Sequence, residues 1–311
     1  MSNQTLEAAL QGLSLGFPQT AANLTMFPLC RPGTAAPDYL TLPEALQRGL
    51  AEVSEVSESG SVPNLRFLNK GEQPVLLLDG EELAGAKQNR VLNLTILVPA
   101  QTTLDIPVSC VERGRWSWRS RRFAATGAAL HARARAAKAA AVSESLRYQR
   151  RAASDQGAIW AEIDRKAAAL KVESPTAAMA DIYTDQAEAL DRIRTGIRAI
   201  PDQVGAVFAI NGVLAGLELF AAGDTLVRHL PKLVDSYAMD ALEADGEAPP
   251  PAVASVHALL AEVGRSRIDE YKAIGLGHDW RMSGRQWQGA GLAVEGRVVH
   301  LEAYPVAQQA A

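Results

Sequence analysis

The dipeptide Asn211-Gly212, set between the apolar runs VGAVFAI (Val204 to Ile210) and VLAGLEL (Val213 to Leu219), constrains this chain more than any other feature. A two-residue Asn-Gly loop needs positive φ at both positions, which the tight turn of an antiparallel hairpin supplies. The spacing therefore predicts a hairpin over 204–219, and leaves open whether it extends an earlier sheet or founds a second one. Asn23 to Trp116 carries a similar β signal in short runs: LTMFPL, AEVSEV, NLRFLN, PVLLLDG, VLNLTILV and TTLDIPVSC. A turn cluster every 8 to 12 residues is the pattern of a sandwich or barrel. A short helix over Leu42 to Arg48 interrupts it, because Thr41 can cap and Glu44 stands three positions on.

After about Ser120 the apolar period becomes helical. Helices are predicted from Ala128 to Gln149, from Asp155 to Leu170 and, with Ser174 as N-cap and Pro175 in the first turn, from there to about Ile197. Beyond the hairpin, a helix over Asp224 to Leu242 should take Asp224 as N-cap and carry Pro231 inside it. A linker (DGEAPPP), a helix over Ala252 to Val263 and four strands between Arg267 and Ala303 complete the chain, with the last two strands joined at Glu295-Gly296. The expected class is α+β: an antiparallel β-sandwich-like half (1–120), a helical insertion (121–200) and a second strand/helix segment (201–311) packing on or extending the sheet.

Composition narrows the functional classes. The chain has 311 residues, 48% hydrophobic, with two cysteines, Cys30 and Cys110. That is enough apolar content for a core, while no run of 18 apolar residues and no basic, then apolar leader is present. A soluble, cytoplasmic protein without a membrane or disulfide framework is expected. The net charge of −4 hides a polarity: Arg113 to Arg151 holds eleven Lys/Arg and one acid, so this stretch carries about +10 and the remainder about −14. Its densest part, RGRWSWRSRR, interleaves arginines with Trp116 and Trp118. Guanidinium forks bind phosphate or carboxylate and indole faces stack on bases. The same charges could instead pair with acidic helices in the protomer or across a homo-oligomer. A sequence pI near 5.8 argues against a dedicated nucleic-acid protein.

Two stretches concentrate groups able to do chemistry. In LDGEELAGAKQNRVLN, the acidic Asp79, Glu81 and Glu82 precede Lys87, Gln88, Asn89 and Arg90 between apolar strands. Carboxylates beside Lys and Arg can transfer protons, with Glu81, Glu82 and Lys87 as catalytic candidates, and Asp79, Glu81 and Glu82 could hold a divalent ion. The alternative is a solvated, self-paired hairpin loop with Gly80 and Gly85 at positive φ. The second stretch is Cys110 to Trp116, bringing Glu112, Arg113, Arg115 and Trp116. A phosphatase or rhodanese loop requires arginine six positions after its cysteine, and position 116 is tryptophan, so an inert Cys110 at a strand end is expected. The five histidines show no i,i+4 or His-x-His pairing, so no metal site is expected from them. No dinucleotide, P-loop or nucleophile-elbow motif occurs, and no cofactor is expected.

The wording of LDGEELAGAKQNRVLN, IPVSCVERGRW, SDQGAIWAEIDRK with ESPTAAMADIY, and VGAVFAINGVLAGLELF with LPKLVDSYAMDALE resembles an uncharacterised prokaryotic family. That family is named for association with ADP-ribosylglycohydrolases and the rhodanese-phosphatase superfamily. The resemblance covers roughly residues 50 to 245. It implies a link to ADP-ribose or nucleotide-related chemistry and supplies no catalytic residues. The leading expectation is a module for a small anionic, ADP-ribose-like ligand, held by Asp79, Gln88, Asn89, Arg90, Glu112, Arg113, Arg115 and Trp116. A homo-oligomeric or partner-binding scaffold is the alternative. A hydrolase or transferase acting on a nucleotide-linked substrate is the third reading.

Overall fold

The structure, a computed structural model, describes residues 2–58 and 60–306. The chain forms two compact α+β units. The first comprises the described residues up to Pro37, Arg192–Ala273 and those from Gly277 on; the second comprises Asp38–Asp191 with Ile274–Leu276. The unit boundaries thus fall at 37/38 and 191/192, and the N-terminal β run is divided between the two.

The first unit is built on a nine-stranded antiparallel sheet. The hairpin lies inside it: Gln203–Ile210 pairs with Val213–Phe220 through a β-bulge at Phe208/Ala209, and Asn211 and Gly212 have φ of 48° and 76°. Gln203–Ile210 also pairs with Leu24–Cys30, so the hairpin and the first long strand share one sheet. Val213–Phe220 pairs with Arg297–Pro305, and Trp287–Val294, His278–Ser283 and Arg267–Lys272 follow outward. One face is apolar. Phe27, Val207, Leu217, Leu219, Leu301 and Trp280 bury against Leu6 of the Ser2–Leu10 helix and against Val256, Leu259 and Val263 of the Val253–Gly264 helix. Those last three positions lie on one helical stripe, and each such burial contributes about 1.5–3 kcal/mol.

Helix Gly223–Ala241 packs on the Gln203–Ile210 strand. Its N-cap is Ala222 rather than the expected Asp224, which occupies the first turn, where a carboxylate suits the helix dipole. Pro231 falls inside this helix as expected. Tyr237 stacks on Phe208 with ring centroids 4.1 Å apart. Its ring presses so closely on the sheet that a Cβ at position 216 would lie 2.8 Å from the tyrosine Cε1 and Cζ.

The second unit holds a six-stranded antiparallel sheet in the order Phe123–Ala129, Glu81–Gly85, Arg90–Leu92, Thr103–Cys110, Asn64–Asn69, Ala51–Glu55. A three-stranded sheet of Ile96–Val98, Val75–Leu77 and Leu40–Thr41 accompanies it. The Leu42–Gln47 helix has the expected cap, with the Thr41 N–H and hydroxyl both donating to Glu44. Helix Gln156–Leu170 starts after Asp155, whose carboxylate accepts from the Ala158 N–H.

Four further local expectations need correction. The run VLNLTILV is two strands in different sheets, because Asn93 turns the chain: its N–H donates to Pro107 O and its Oδ1 accepts from Ser109 Oγ. Phe123–Ala129 is a strand, and the helix after it begins only at Ala132. The single helix expected from Pro175 to Ile197 is two, Met179–Asp185 and Ala187–Gly196. Ser174 does accept from the Ala178 N–H, yet Ala177 takes φ 49° and Ala178 bridges Glu112, so helical geometry waits until Met179. Finally, Asp79 to Arg90 is not a solvated loop but a buried strand, turn and strand. Gly80 and Gly85 do take positive φ, 78° and 135°. Among the described residues no helix is long and apolar enough to cross a membrane.

Tyr237 leaves no room at position 216, so Gly216→Ala should lower unfolding stability by about 1–3 kcal/mol through overpacking. Urea denaturation of the two proteins measures this, and equal midpoints would refute the packing account.

Candidate ligand site around Arg90

The polar residues between Asp79 and Trp116 divide into groups that hold the fold and groups that remain available. Asp79 belongs to the first set: Lys138 Nζ donates to its Oδ2 at 2.5 Å and Arg135 Nε lies 3.8 Å from its Oδ1, all three side chains being buried. This ties the basic Ala132–Gln149 helix to the sheet. Glu81 accepts from the Leu78 N–H at 2.9 Å, and Glu82 from Asn89 Nδ2 at 3.2 Å and the Thr126 hydroxyl at 3.0 Å. Asp79, Glu81 and Glu82 therefore face separate partners rather than a common point.

Glu112 and Arg115 form the centre of the structural set. Arg115 donates to both Glu112 oxygens, Nε to Oε1 at 2.8 Å and Nη2 to Oε2 at 2.5 Å. Its other donors reach Ala86 O, Ser117 O, Gly85 O and Asn89 Oδ1. Glu112 also accepts from the Asn89 N–H and the Thr176 hydroxyl. Burial works to raise the Glu112 carboxyl, but the Arg115 hydrogen bonds and the Asn89 N–H outweigh it and hold the group below the ordinary carboxylate range. Arg113 stands apart on the surface, paired with Asp164 at 2.9 Å. Arg122 pairs with Glu52. Much of the +10 charge of the 113–151 stretch is thus met by acids of the same unit.

Arg90 differs from all of these. Its side chain is fully buried, Nη1 donates to Gln88 Oε1 at 2.8 Å, and Nε and Nη2 have no hydrogen-bond partner. Glu55 is buried as well, with neither carboxylate oxygen hydrogen-bonded. Burial pulls the Arg90 pKa down, while Cys110 and Glu55 act electrostatically in the opposite direction. Two opposite charges thus influence each other without a hydrogen bond between them. An unpaired buried donor costs about 1–3 kcal/mol, more when charged, so this arrangement is expensive for the fold.

Around Arg90 stand the remaining candidates. Trp116 lies over its guanidinium, 5.7 Å from ring centroid to Cζ. Lys87 Nζ sits 5.2 Å from the centroids of both Trp116 and Trp118, and Arg121 lies 5.3 Å from Trp118. The two indoles are 48% and 43% exposed, so Trp116 links the buried guanidinium to solvent. Cys110, at the end of its strand as expected, donates its thiol to Gln88 Oε1 at 3.2 Å; burial foremost pushes its pKa up, which keeps it a neutral thiol. A separate cavity of about 540 Å³ is lined by Asn64, Asn93, Arg151, Ser154 and Gln156, and none of the candidate site residues borders it.

Of the residues singled out in the sequence, Lys87, Gln88, Arg90 and Trp116 therefore converge, while Asp79, Asn89, Glu112 and Arg115 form the frame and Arg113 lies outside. Glu55 was missed. The signal was present: AEVSEV alternates, and Ala51, Val53 and Glu55 share the buried face of their strand, so a carboxylate occupied a core position.

Burial raises the Glu82 carboxyl to about 7, with Thr126 and Asn89 pulling the other way. A raised folded-state value means stability is complete below the unfolded value, near 4.5, and is lost as pH climbs towards 7. The loss should reach about 3 kcal/mol. Glu82→Gln should flatten chemical-denaturation stability between pH 4.5 and 7; an unchanged slope in the variant would disprove this assignment.

Residues 12–304 match the model of the ARG and Rhodanese-Phosphatase-superfamily-associated Protein domain. No curated protein and no solved structure shows a significant match. Because the family match takes in nearly all described residues of both units, the chain belongs to the ARG and Rhodanese-Phosphatase-superfamily-associated Protein domain family.

Proposed function

We propose that the second unit binds a small anionic, nucleotide-derived ligand of the ADP-ribose type at Arg90, Lys87, Trp116 and Trp118. The observation that carries this reading is the Arg90 guanidinium, buried with two nitrogens lacking partners, together with the buried Glu55 carboxylate, which is in the same condition and acts on Arg90 electrostatically. Natural folds rarely keep such groups without a use for them. A ligand bearing phosphate and hydroxyl groups would satisfy both: phosphate oxygens accept from Arg90, and a ribose hydroxyl donates to Glu55. The half-exposed indoles, with Lys87 between them, offer a stacking surface for a base and a cation for a second phosphate. Family membership agrees with this chemistry through the association with ADP-ribosylglycohydrolases in the family's name. The two buried free cysteines suit a reducing, cytoplasmic setting.

The competing readings have less support. A scaffold in which the basic stretch docks on a neighbour's acidic helices would need that charge to be available, whereas Arg113, Arg115, Arg122, Arg135 and Lys138 have acidic partners within the unit. A hydrolase or transferase using Glu81 or Glu82 as base would need the carboxylate to reach substrate, and both are buried in hydrogen bonds to their own unit.

Calorimetry of the full chain with ADP-ribose, AMP and inorganic phosphate tests the proposal. Saturable heat with ADP-ribose is expected, with Kd raised tenfold or more in Arg90→Met and in Trp116→Ala, corresponding to about 1.4 kcal/mol. No heat from the wild-type chain at millimolar ADP-ribose would refute it.

A further inference from the structure

We propose that the first unit holds a divalent transition-metal ion between Glu218, His300 and Glu302. The three come from neighbouring central strands of the nine-stranded sheet. Glu218 is directly opposite Glu302, and the next pair along the same face sets Phe220 opposite His300. All three side chains are at most 1% exposed. One potential ligand atom from each lies within 4.8 Å of the others, the one such group among the described residues.

The arrangement is unusual for a sheet without a ligand. Like charges directly opposite on adjacent strands are destabilising. A divalent ion meets both carboxylates and the imidazole at once. His300 Nε2 and Glu218 Oε2 are 3.2 Å apart, close to the roughly 3.3 Å edge of a tetrahedron with bonds of about 2.0–2.1 Å.

The surroundings orient the donors. Tyr237 OH donates to Glu218 Oε1 at 3.2 Å and Tyr304 OH to Glu302 Oε2 at 3.0 Å. Each carboxylate is therefore fixed through one oxygen by a tyrosine, the outer-shell support that metal-bound carboxylates characteristically have. Phe220 packs against the His300 ring, with centroids 4.7 Å apart, and Phe208 stacks on Tyr237, so the donors sit between aromatic walls. Arg281, on the same cross-strand row beyond Ala290, binds Asp279 through two hydrogen bonds.

One imidazole and two carboxylates suit zinc, manganese or ferrous iron rather than calcium, which takes six to eight oxygens. Its burial makes this a site filled as the chain folds. It is independent of the ligand proposed for the second unit.

The test is metal content by mass spectrometry after refolding the full chain from guanidinium with zinc or with manganese and desalting. About one equivalent of one metal per chain is expected for the wild type and for the exposed-histidine control His257→Gln. A fall of about tenfold is expected in His300→Gln and Glu302→Gln. Wild-type protein that retains neither metal overturns the proposal whatever the variants do, as does undiminished metal in a folded His300→Gln or Glu302→Gln chain.

Discussion

The guanidinium of Arg115 is the interaction on which the second unit's site depends. Its donors span the backbone carbonyls of Gly85, Ala86 and Ser117, the Asn89 side chain and both oxygens of Glu112. One planar group thereby fixes the turn between two strands to the segment that follows Cys110. Arg90, the residue immediately after that turn, is held fully buried as a consequence, with Trp116 packed against it. The contrast between these two arginines organises the site: Arg115 spends its donors on the fold, and Arg90 keeps two nitrogens without partners.

That contrast also changes the meaning of the chain's charge. The concentration of about +10 between Arg113 and Arg151 looks like an anion-binding surface. In the structure much of it is structural, with Asp79 anchoring Arg135 and Lys138, Glu112 anchoring Arg115, and Asp164 and Glu52 pairing Arg113 and Arg122. Arg90, with two buried nitrogens that lack a hydrogen-bond partner, lies just upstream of that stretch. A count of charge locates where arginines are dense, whereas a count of unsatisfied donors locates where a ligand has something to bind.

What the sequence made legible was local. The Asn211-Gly212 hairpin, the Thr41 cap and the four C-terminal strands all rest on neighbours within a few residues, where turn chemistry and period decide the conformation. The stretch from Asp79 to Arg90 misled because its polarity resembles a solvated loop. Its polar groups are in fact satisfied by residues far along the chain, such as Glu112, Arg115 and Lys138, which no window of sequence contains. His300 illustrates the same limit. Glu302 stands two positions on, on the same strand face, but the third member of the group is out of any window: strand register brings His300 3.2 Å from Glu218, 82 positions away. Glu55 is the instructive exception, since an alternating strand with a carboxylate on its apolar side could have been recognised without any structure.

The central claim is that Arg90 and Glu55 are kept for a ligand at a cost to the fold. Urea unfolding of the double variant Arg90→Met with Glu55→Gln, without ligand, tests it most directly. If the pair serves binding, removing both charges relieves a desolvation penalty, and the variant should be as stable as the wild type or more so. A loss of several kcal/mol would show that the pair supports the fold itself and would contradict the account.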